Sequence, residues 1–590
     1  LYGSYAQKGG KASMLRLRMT AGRVTRDKLA FVAQAIRTYA VPRAHFTTCQ
    51  SIQLHDLLPE ALYPIMEQAL DHGIVTMGGG GDFPRNTMCS PLSGVEAGEY
   101  FDVLPYAQAA GDYAMNFIKA EKMPRKLKIC FSNSPANLPH ATYRDLGFAA
   151  RPDGTFDVYS AGGLGNNPRF GVKVAEGVDP NKVLYYIKAM WLTFRAHGNY
   201  ENRGKARTRY MQDICGGPEG YARAYQEQLD AVLASGEDLD LHLSPAPVTK
   251  AGDGTSVAGP RVIQQKQPGL YAVAWHPIGG QPDLNTLCAL SDALADMDGT
   301  EMRLAPDETA YIINLTGSEA TKILALTADG AQTLFETSVS CIGGATCQVG
   351  MRDSQGLLNA CVDVITLREP DSLKELQSMG VTKPEILLTA DPALTLPAAS
   401  EDEIDSVLLR AGIPPHGKYL CFALRNWKGF EDKAPLFAQA AKYAYETYGL
   451  TPVFAAVEKH LDPVAGRLAA AGLDIPHYFL DDAGSAGTII GALSRMQAVV
   501  SMRLHALIFA AGQGIPLAGV VYDPKVSAFL RYIGQENFLD LDALTADALK
   551  AMIDRMVSSP ISPEEQAAAV QNLRQIEQVN VDTARRLLGK

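Results

Sequence analysis

No stretch of this chain approaches the roughly 18 consecutive apolar residues that a membrane-spanning helix needs. The longest apolar runs, such as Leu504–Ala511, have the length of a buried helix. Excess positive charge is missing too: 54 Lys and Arg stand against 64 Asp and Glu, a formal net charge of −10. That balance excludes a general nucleic-acid binder, which must neutralise phosphates. Nor is there a paired cysteine framework. Nine cysteines, at 49, 89, 130, 215, 288, 341, 347, 361 and 421, are an odd number scattered along the chain, unlike the dense even sets of small secreted domains. They read as free thiols of a cytoplasmic protein, with Cys341 and Cys347 set apart. Neither an initiator methionine nor a charged-then-apolar leader precedes Leu1, which reads as a truncated 5′ end ahead of mature processing.

What is present has ordinary globular composition, 47% apolar and 20% charged, over 590 residues. That length implies roughly three to four domains. Periods of 2 and 3.6 predict strand Ser13–Arg18, helix Arg26–Tyr39, strand His45–Leu54 and helix Leu57–His72. A glycine run, Gly78–Gly81, and the stretch Phe83–Pro91 follow. Helices are predicted at Tyr106–Lys119 and Lys182–His197, with a strand entered at Met123–Cys130 between them and a basic run, Asn202–Arg209, behind them. Residues 235–260 have the composition of a linker. After it, strand Gly269–Trp275, helix Asp283–Ala295, strands Glu301–Leu304 and Tyr311–Leu315, and helix Ala320–Leu326 repeat the opening order. A repeat at a separation of about 255 residues points to duplication and a pseudo-twofold molecule rather than a solenoid. From Cys361 the texture changes. Strands at Tyr419–Arg425, Pro452–Val457, near Tyr478, Ala498–Met502 and Leu517–Tyr522 alternate with helices at Lys433–Tyr448, Pro463–Ala471, Gly487–Met496, Leu504–Gly512 and Lys525–Ile533. This alternation predicts a doubly wound, Rossmann-like α/β domain.

Cys341-Ile-Gly-Gly-Ala-Thr-Cys347 holds two thiols in a glycine turn, half of what an iron–sulfur cluster requires; alone, the pair reads as buried structural thiols. The continuation Gln348-Val-Gly-Met-Arg-Asp-Ser-Gln355 is more specific, as are Thr47-Thr-Cys-Gln-Ser-Ile-Gln-Leu-His55, Arg85-Asn-Thr-Met-Cys-Ser-Pro91, Pro124-Arg-Lys-Leu-Lys128 and Gly162-Gly-Leu-Gly165. With these stretches, residues 1 to about 358 resemble the siroheme and 4Fe-4S nitrite/sulfite reductase family. The resemblance implies an α+β ferredoxin-like half repeat over 1–75, a siroheme-binding α/β lobe over 76–235, a linker over 236–262, a second half repeat over 263–330 and the truncated start of a second lobe over 331–360. It implies siroheme, a 4Fe-4S cluster on Cys341 and Cys347, and an electron donor such as ferredoxin. Sulfite or nitrite would be bound and reduced at Arg85, Lys126 and Lys128, with Cys49 and Gln50 beside them. Gln53, Arg125, Arg203 and Arg207 would meet the siroheme. Positive charge in a partly desolvated cleft suits both the eight-carboxylate cofactor and an oxyanion. Solvated strand-edge cations are the alternative reading of these residues. Two departures stand out. Cys49 occupies a place where many members carry an anion-binding Arg, and the loop that completes the cluster with two further cysteines is absent, since only Cys361 and Cys421 follow Cys347.

From Val364-Ile-Thr-Leu-Arg-Glu-Pro-Asp-Ser-Leu373 onward the chain resembles the C-terminal half of the polysaccharide pyruvyl transferase family, most specifically in Ser501-Met-Arg-Leu-His-Ala506, Gly514-Ile-Pro516 and Tyr522-Asp-Pro-Lys525. Residues 361–590 would then grip phosphoenolpyruvate with Arg425 and Arg503 and use His505 as the proton donor towards a sugar acceptor, with no cofactor. A core or capping histidine is the alternative for His505. Open α/β sheets bind anions at the carboxyl ends of strands, where helix N-termini add a favourable dipole. The family's N-terminal lobe is missing. Three readings compete: a siroheme oxidoreductase, a glycan-modifying transferase, and a non-catalytic chimera or mis-assembled gene in which both sites are incomplete.

Overall fold

A computed structural model describes residues 2–118, 122–165, 167–243, 247–381, 383–558 and 563–587. The predicted helix end at Lys119 and part of the predicted linker, 244–246, lie outside the described residues. The chain divides into two compact units, Leu1–Asn359 and Ala360–Lys590.

The first unit opens with β1 (Ser4–Ala6), β2 (Ser13–Leu17), β3 (Arg23–Val24), α1 (Arg26–Thr38), β4 (Arg43–Phe46), β5 (Ile52–Leu57) and α2 (Pro59–Asp71). Helix α1 starts where the Thr25 hydroxyl accepts from Lys28 N. The single strand predicted over His45–Leu54 is instead a hairpin. Gln50 N donates to Thr47 O at 2.8 Å, and Gln50 takes φ 55, so the chain reverses between β4 and β5. The turn Thr47–Ser51 holds no Gly, Pro, Asn or Asp to mark it, which hid the reversal in the sequence.

A mixed sheet follows, built from β6 (Met88–Cys89), β7 (Ile129–Ser132), β8 (Leu146–Ala150), β9 (Phe156–Ser160) and β10 (Val172–Val178). Its order is β10-β9-β8-β7-β6, with β6, β7 and β8 parallel and the rest antiparallel. Helices α3 (Leu104–Ala114), α4 (Val183–His197), α5 (Met211–Ile214) and α6 (Pro218–Ala234) complete this lobe. Phe131, Phe148, Phe156, Phe194 and Tyr221 are at its centre, all fully buried.

Next come β11 (Val262–Gln264), β12 (Tyr271–Trp275), α7 (Leu284–Ala295), β13 (Glu301–Leu304), β14 (Ala310–Leu315) and α8 (Gly317–Leu326). The first sheet runs β1-β2-β5-β4 and this one β11-β12-β14-β13-β3, the same strand order with one added strand. Left-handed backbone recurs at matching places: Ala21 and Gly279, Ala40 and Gly299, Gln50 and Glu308, Asp56 and Asn314. Helices α1 and α7 share one core, and Arg37 reaches Asp292 at 2.5 Å between them. The linker-like stretch is pinned in place: Lys250 pairs with Glu319 at 2.6 Å, and Asp253 accepts from Ser318 N. Polar composition there reflects capping of α8, not freedom. Residues 338–353 carry no helix or strand, and α9 (Ser354–Asp363) then crosses the boundary between units.

The second unit contains β15 (Val364–Leu367), α10 (Pro370–Ser378), β16 (Glu385–Leu388), α11 (Glu401–Arg410), β17 (Tyr419–Ala423), α12 (Phe430–Tyr448), β18 (Thr451–Ala455), α13 (Asp462–Ala470) and β19 (Tyr478–Leu480). It continues with α14 (Ala486–Ser494), β20 (Ala498–Ser501), α15 (Leu504–Gly512), β21 (Leu517–Val521), α16 (Pro524–Tyr532), β22 (Phe538–Asp540), α17 (Ala546–Ser558) and α18 (Pro563–Leu587). Six strands form an all-parallel sheet in the order β19-β18-β17-β20-β21-β22. Along β17, Tyr419, Cys421 and Ala423 enter one core while Leu420 and Phe422 enter the other. A strand buried on both faces is what a doubly wound sheet requires. The order reverses between β17 and β20, so a crevice opens there at the carboxyl ends.

Candidate anion sites in the two units

In the first unit the parallel pairing of β6 with β7, extended by Arg85 N donating to Leu127 O at 2.8 Å, sets the Arg85 loop beside the segment before β7. Lys126 and Lys128 flank the buried Leu127 and are themselves half-buried on the other side, as alternation in an extended segment dictates. Arg16, alternating with Leu15 and Leu17 in β2, and Arg144, just before β8, join them. Arg16, Arg85, Lys126, Lys128 and Arg144 make no ion pair among the described residues. The three arginines donate to carbonyls: Arg16 to Gly79, Arg85 to Gly79 at 3.1 Å and Gly81 at 2.9 Å, Arg144 to Pro139 at 2.8 Å.

Crowding of like charge shows in the proton affinities. Burial first, then the charges of Lys128, Arg85, Arg207 and Arg125, bring Lys126 down to about 8. Burial and Arg16 lower Arg85 as well. Cys49 sits in the β4–β5 turn, half-buried. Burial acts to raise its thiol, but the charge and hydrogen bond of Lys128, with Arg16 and Arg144, outweigh that and bring it down to about 7. An anion entering here would relieve the repulsion among the cations, the condition for selective oxyanion binding in a partly dry cleft.

Other predicted residues are engaged differently. Gln50 is fully buried: Nε2 donates to Cys89 O at 2.8 Å and Leu304 O at 2.5 Å, while Oε1 accepts from Cys89 N at 2.8 Å. Its amide braces the turn. Arg125 and Arg203 both reach Asp82 at 2.8 Å, and Arg207 reaches the buried Asp145 at 3.0 Å. All three are engaged in internal ion pairs, with Arg125 and Arg203 sharing the one carboxylate of Asp82, so that cluster keeps a net positive charge. Gln53 accepts from Arg16 Nε at 3.1 Å and donates to His55 Nε2 at 3.3 Å. Arg16, Arg144, Asp82 and Asp145 were missed in the sequence. For Arg16 a signal existed, since an arginine inside the strand pattern Leu15-Arg16-Leu17 must face away from the core.

Cys341 is exposed, its Sγ 3.1 Å from Ser354 Oγ, and Cys347 closes a turn through its N–H to Gly343 O at 2.9 Å. Lys8 and Arg43 hold the loop, through Gly344 O and Thr346 Oγ1, both at 2.9 Å. No group of three or more His, Cys, Asp or Glu side chains is arranged for a metal among the described residues. Cys361 lies on α9, and Cys421 is fully buried in the central strand β17, where burial pushes its thiol up to about 12. A cubane needs four thiolates, and the donor set of this chain does not fit one.

In the second unit Arg425 follows β17 and Arg503 follows β20, on either side of the crevice. Asp462, opening α13, is buried; its Oδ2 accepts from Glu458 N at 2.8 Å and faces Arg503 Nε at 3.3 Å. Burial raises its carboxyl, against the pull of Arg503 and Arg425, and Oδ1 has no partner. Arg425 stacks over Trp427 at 5.2 Å and Tyr522 at 5.7 Å. His505, in the first turn of α15, is exposed and lines a cavity of 470 Å³ with Lys459, His460, Ser485 and Phe509. Asp462 went unnoticed in the sequence because a carboxylate at a helix start reads as a cap.

Family comparisons agree with this division. Residues 5–72 match the nitrite/sulfite reductase ferredoxin-like half domain, 80–229 the nitrite and sulphite reductase 4Fe-4S domain, and 349–524 polysaccharide pyruvyl transferase. The chain joins a nitrite/sulfite reductase-like region to a pyruvyl transferase-like region. Over the reductase-like region it is 28% identical to a ferredoxin–nitrite reductase of Synechococcus elongatus across 365 residues, 58% of this chain and 67% of that protein. It is 25% identical to a ferredoxin sulfite reductase of Mycolicibacterium paratuberculosis across 318 residues, 53% of this chain and 55% of that protein. The chain thus spans between about half and two thirds of the length of these relatives. In fold it resembles the NirA protein of Mycobacterium tuberculosis, with a TM-score of 0.51 at 22% identity, covering 66% of this chain and 72% of that one. The transferase-like match begins at 349, inside the loop that carries Cys347. No described helix is long and apolar enough to cross a membrane.

Proposed function

We propose that the reductase-like region is an oxyanion-binding scaffold for sulfite or nitrite, built on two ferredoxin-like half repeats, that does not complete a reduction by itself. One observation carries this reading: Arg16, Arg85, Lys128 and Arg144 act on Cys49, Lys126 adjoins Lys128 and Arg85, and none of the five side chains forms an ion pair among the described residues. Arg85, Lys126 and Lys128 would grip the oxyanion, with Cys49 at the floor. Gln53 and, after release of their internal carboxylates, Arg125, Arg203 and Arg207 would meet a siroheme. Cys341 and Cys347 supply half of a thiolate set, so electron delivery from a donor such as ferredoxin has no completed route. Calorimetric titration of the full chain with sulfite tests the reading. Binding that weakens with salt supports it; no measurable heat or competition at millimolar sulfite sinks it.

A second reading applies to the transferase-like region, favoured by the pair of arginines at the sheet's switch point. Arg425 and Arg503 would hold the phosphate and carboxylate of phosphoenolpyruvate, and His505 would protonate the enol carbon before a sugar adds. Phosphate release from phosphoenolpyruvate with a sugar acceptor is the assay, and the missing N-terminal lobe predicts binding without turnover.

A further inference from the structure

We propose that the first unit carries a second small-molecule pocket, separate from the cationic basin, that binds an apolar α-amino acid as its zwitterion.

The pocket is a cavity of 830 Å³, a volume ordinary for small-molecule sites, walled by the β3–β13–β14 side of the second sheet and by the segment that leads into α3. Met302 and Ile312 enter the core shared with α1 and α7, so by strand alternation Glu301, Arg303 and Ile313 are on the other face, where they line the cavity. Two guanidiniums there share one carboxylate. Arg23 Nε meets Glu301 Oε2 at 2.7 Å, and Arg303 Nε meets Oε1 at 2.5 Å. Burial acts to raise the Glu301 carboxyl, but Arg303 and Arg23 outweigh it and hold it low, so one positive charge is left over. Arg303 is 5% exposed, and its Nη1 has no hydrogen-bond partner. Such a buried donor costs free energy until an acceptor meets it. Arg23 is partly exposed and makes no other hydrogen bond among the described residues, so its guanidinium end is the accessible contact.

A second unpaired charge, of opposite sign, lines the same cavity. Asp102, just before α3, accepts from Ser93 Oγ at 2.9 Å and Leu104 N at 3.0 Å but forms no ion pair among the described residues. The other charged groups of the lining are taken. Lys250 pairs with Glu319 and Lys266 with Glu99, both at 2.6 Å, and Asp298 pairs with Arg26 at 3.2 Å. Val95, Leu104 and Ile313, all buried, supply apolar wall. A ligand that answers every unpaired group needs a carboxylate for the arginine pair, an ammonium for Asp102 and an apolar body. An α-amino acid with an aliphatic or aromatic side chain carries all three on one carbon, and both of its charged contacts are charge-assisted. None of the basin residues Arg16, Arg85, Lys126, Lys128 and Arg144 lines this cavity.

The test is calorimetric titration of the full chain with three probes: phenylalanine, 3-phenylpropanoate, which lacks the ammonium, and 2-phenylethylamine, which lacks the carboxylate. Phenylalanine is expected to bind, and each single-charge analogue to bind about tenfold more weakly. Arg23→Gln should erase the advantage of phenylalanine over 2-phenylethylamine. Asp102→Asn, which keeps an acceptor for Leu104 N, should erase its advantage over 3-phenylpropanoate. Where either variant fails to fold, the three probes on the wild-type chain decide alone. Saturating sulfite should leave phenylalanine binding unchanged. Leucine is titrated beside phenylalanine, and no heat from either at millimolar concentration overturns the inference. So do equal affinities for the three probes, or displacement of phenylalanine by sulfite.

Discussion

Lys126 shows how one side chain reports on its whole neighbourhood. Its ammonium is held at about 8 by burial and four neighbouring cations. The sign follows directly. Folding disfavours the proton on Lys126, so it is shed as pH rises through about 8, well below the ordinary lysine range, and an anion in the basin favours keeping it. Sulfite affinity is therefore expected to fall between about pH 7 and 9, with proton uptake on binding that shows as a buffer-dependent heat in calorimetry. Lys126→Met should lower affinity by about tenfold and remove that dependence. An unchanged pH profile in the variant would assign the titration elsewhere.

At the level of elements, the matched turns of the two sheets explain a buried acid. Gln50 and Glu308 occupy equivalent left-handed positions, and Gln50 Nε2 donates to Leu304 O. A Cβ on Gly280 would lie 2.6 Å from Glu308 Oε2 and 3.0 Å from Phe46 O, so that carboxyl oxygen and that carbonyl share one small space. Burial raises Glu308 to about 8, which keeps it protonated and able to donate as a glutamine would. Because its folded value lies above its unfolded one, its stabilisation is complete below about pH 4.5 and is lost as pH rises through about 8. Glu308→Gln should therefore raise stability by about 2 kcal/mol at pH 7, and the gain should shrink in acid, as read from denaturant midpoints at several pH values. In the second unit, α13 and α15 meet through Asp462 and Arg503 at 3.3 Å. Asp462→Ala should lower the melting temperature and weaken phosphoenolpyruvate binding by about tenfold, because it leaves a cation unpaired and removes the cap from Val457 N and Glu458 N.

For the whole molecule, the separate cores of Leu1–Asn359 and Ala360–Lys590 predict at least two calorimetric transitions. Purified chain is expected to carry siroheme far below one equivalent, as read from its visible absorption band, since on the proposed reading Cys341 and Cys347 supply only half of a cluster's thiolates. Stoichiometric siroheme would show that the missing ligands come from outside this chain. A single amplicon across the codons for 340–380, with Cys347 and Arg368 in one frame, tests whether the junction exists in source DNA. Natural fusions join whole domains through exposed segments. Here the transferase-like match starts within the cysteine loop of the reductase-like region.

Both family resemblances, the parallel sheet from Tyr419 onward and most helix positions were legible in the sequence, because motifs and periodicity are local properties. The hairpin inside His45–Leu54 was not, because its reversal depends on one left-handed residue, Gln50, braced by Leu304 far along the chain. Tertiary structure alone decided which cations remain free. Arg125, Arg203 and Arg207 look the same in sequence as Arg85, Lys126 and Lys128, yet the first three form ion pairs with Asp82 or Asp145 and the others form none among the described residues. It also brought Arg16 and Arg144 to Cys49, since electrostatics acts through space and takes no account of separation along the chain.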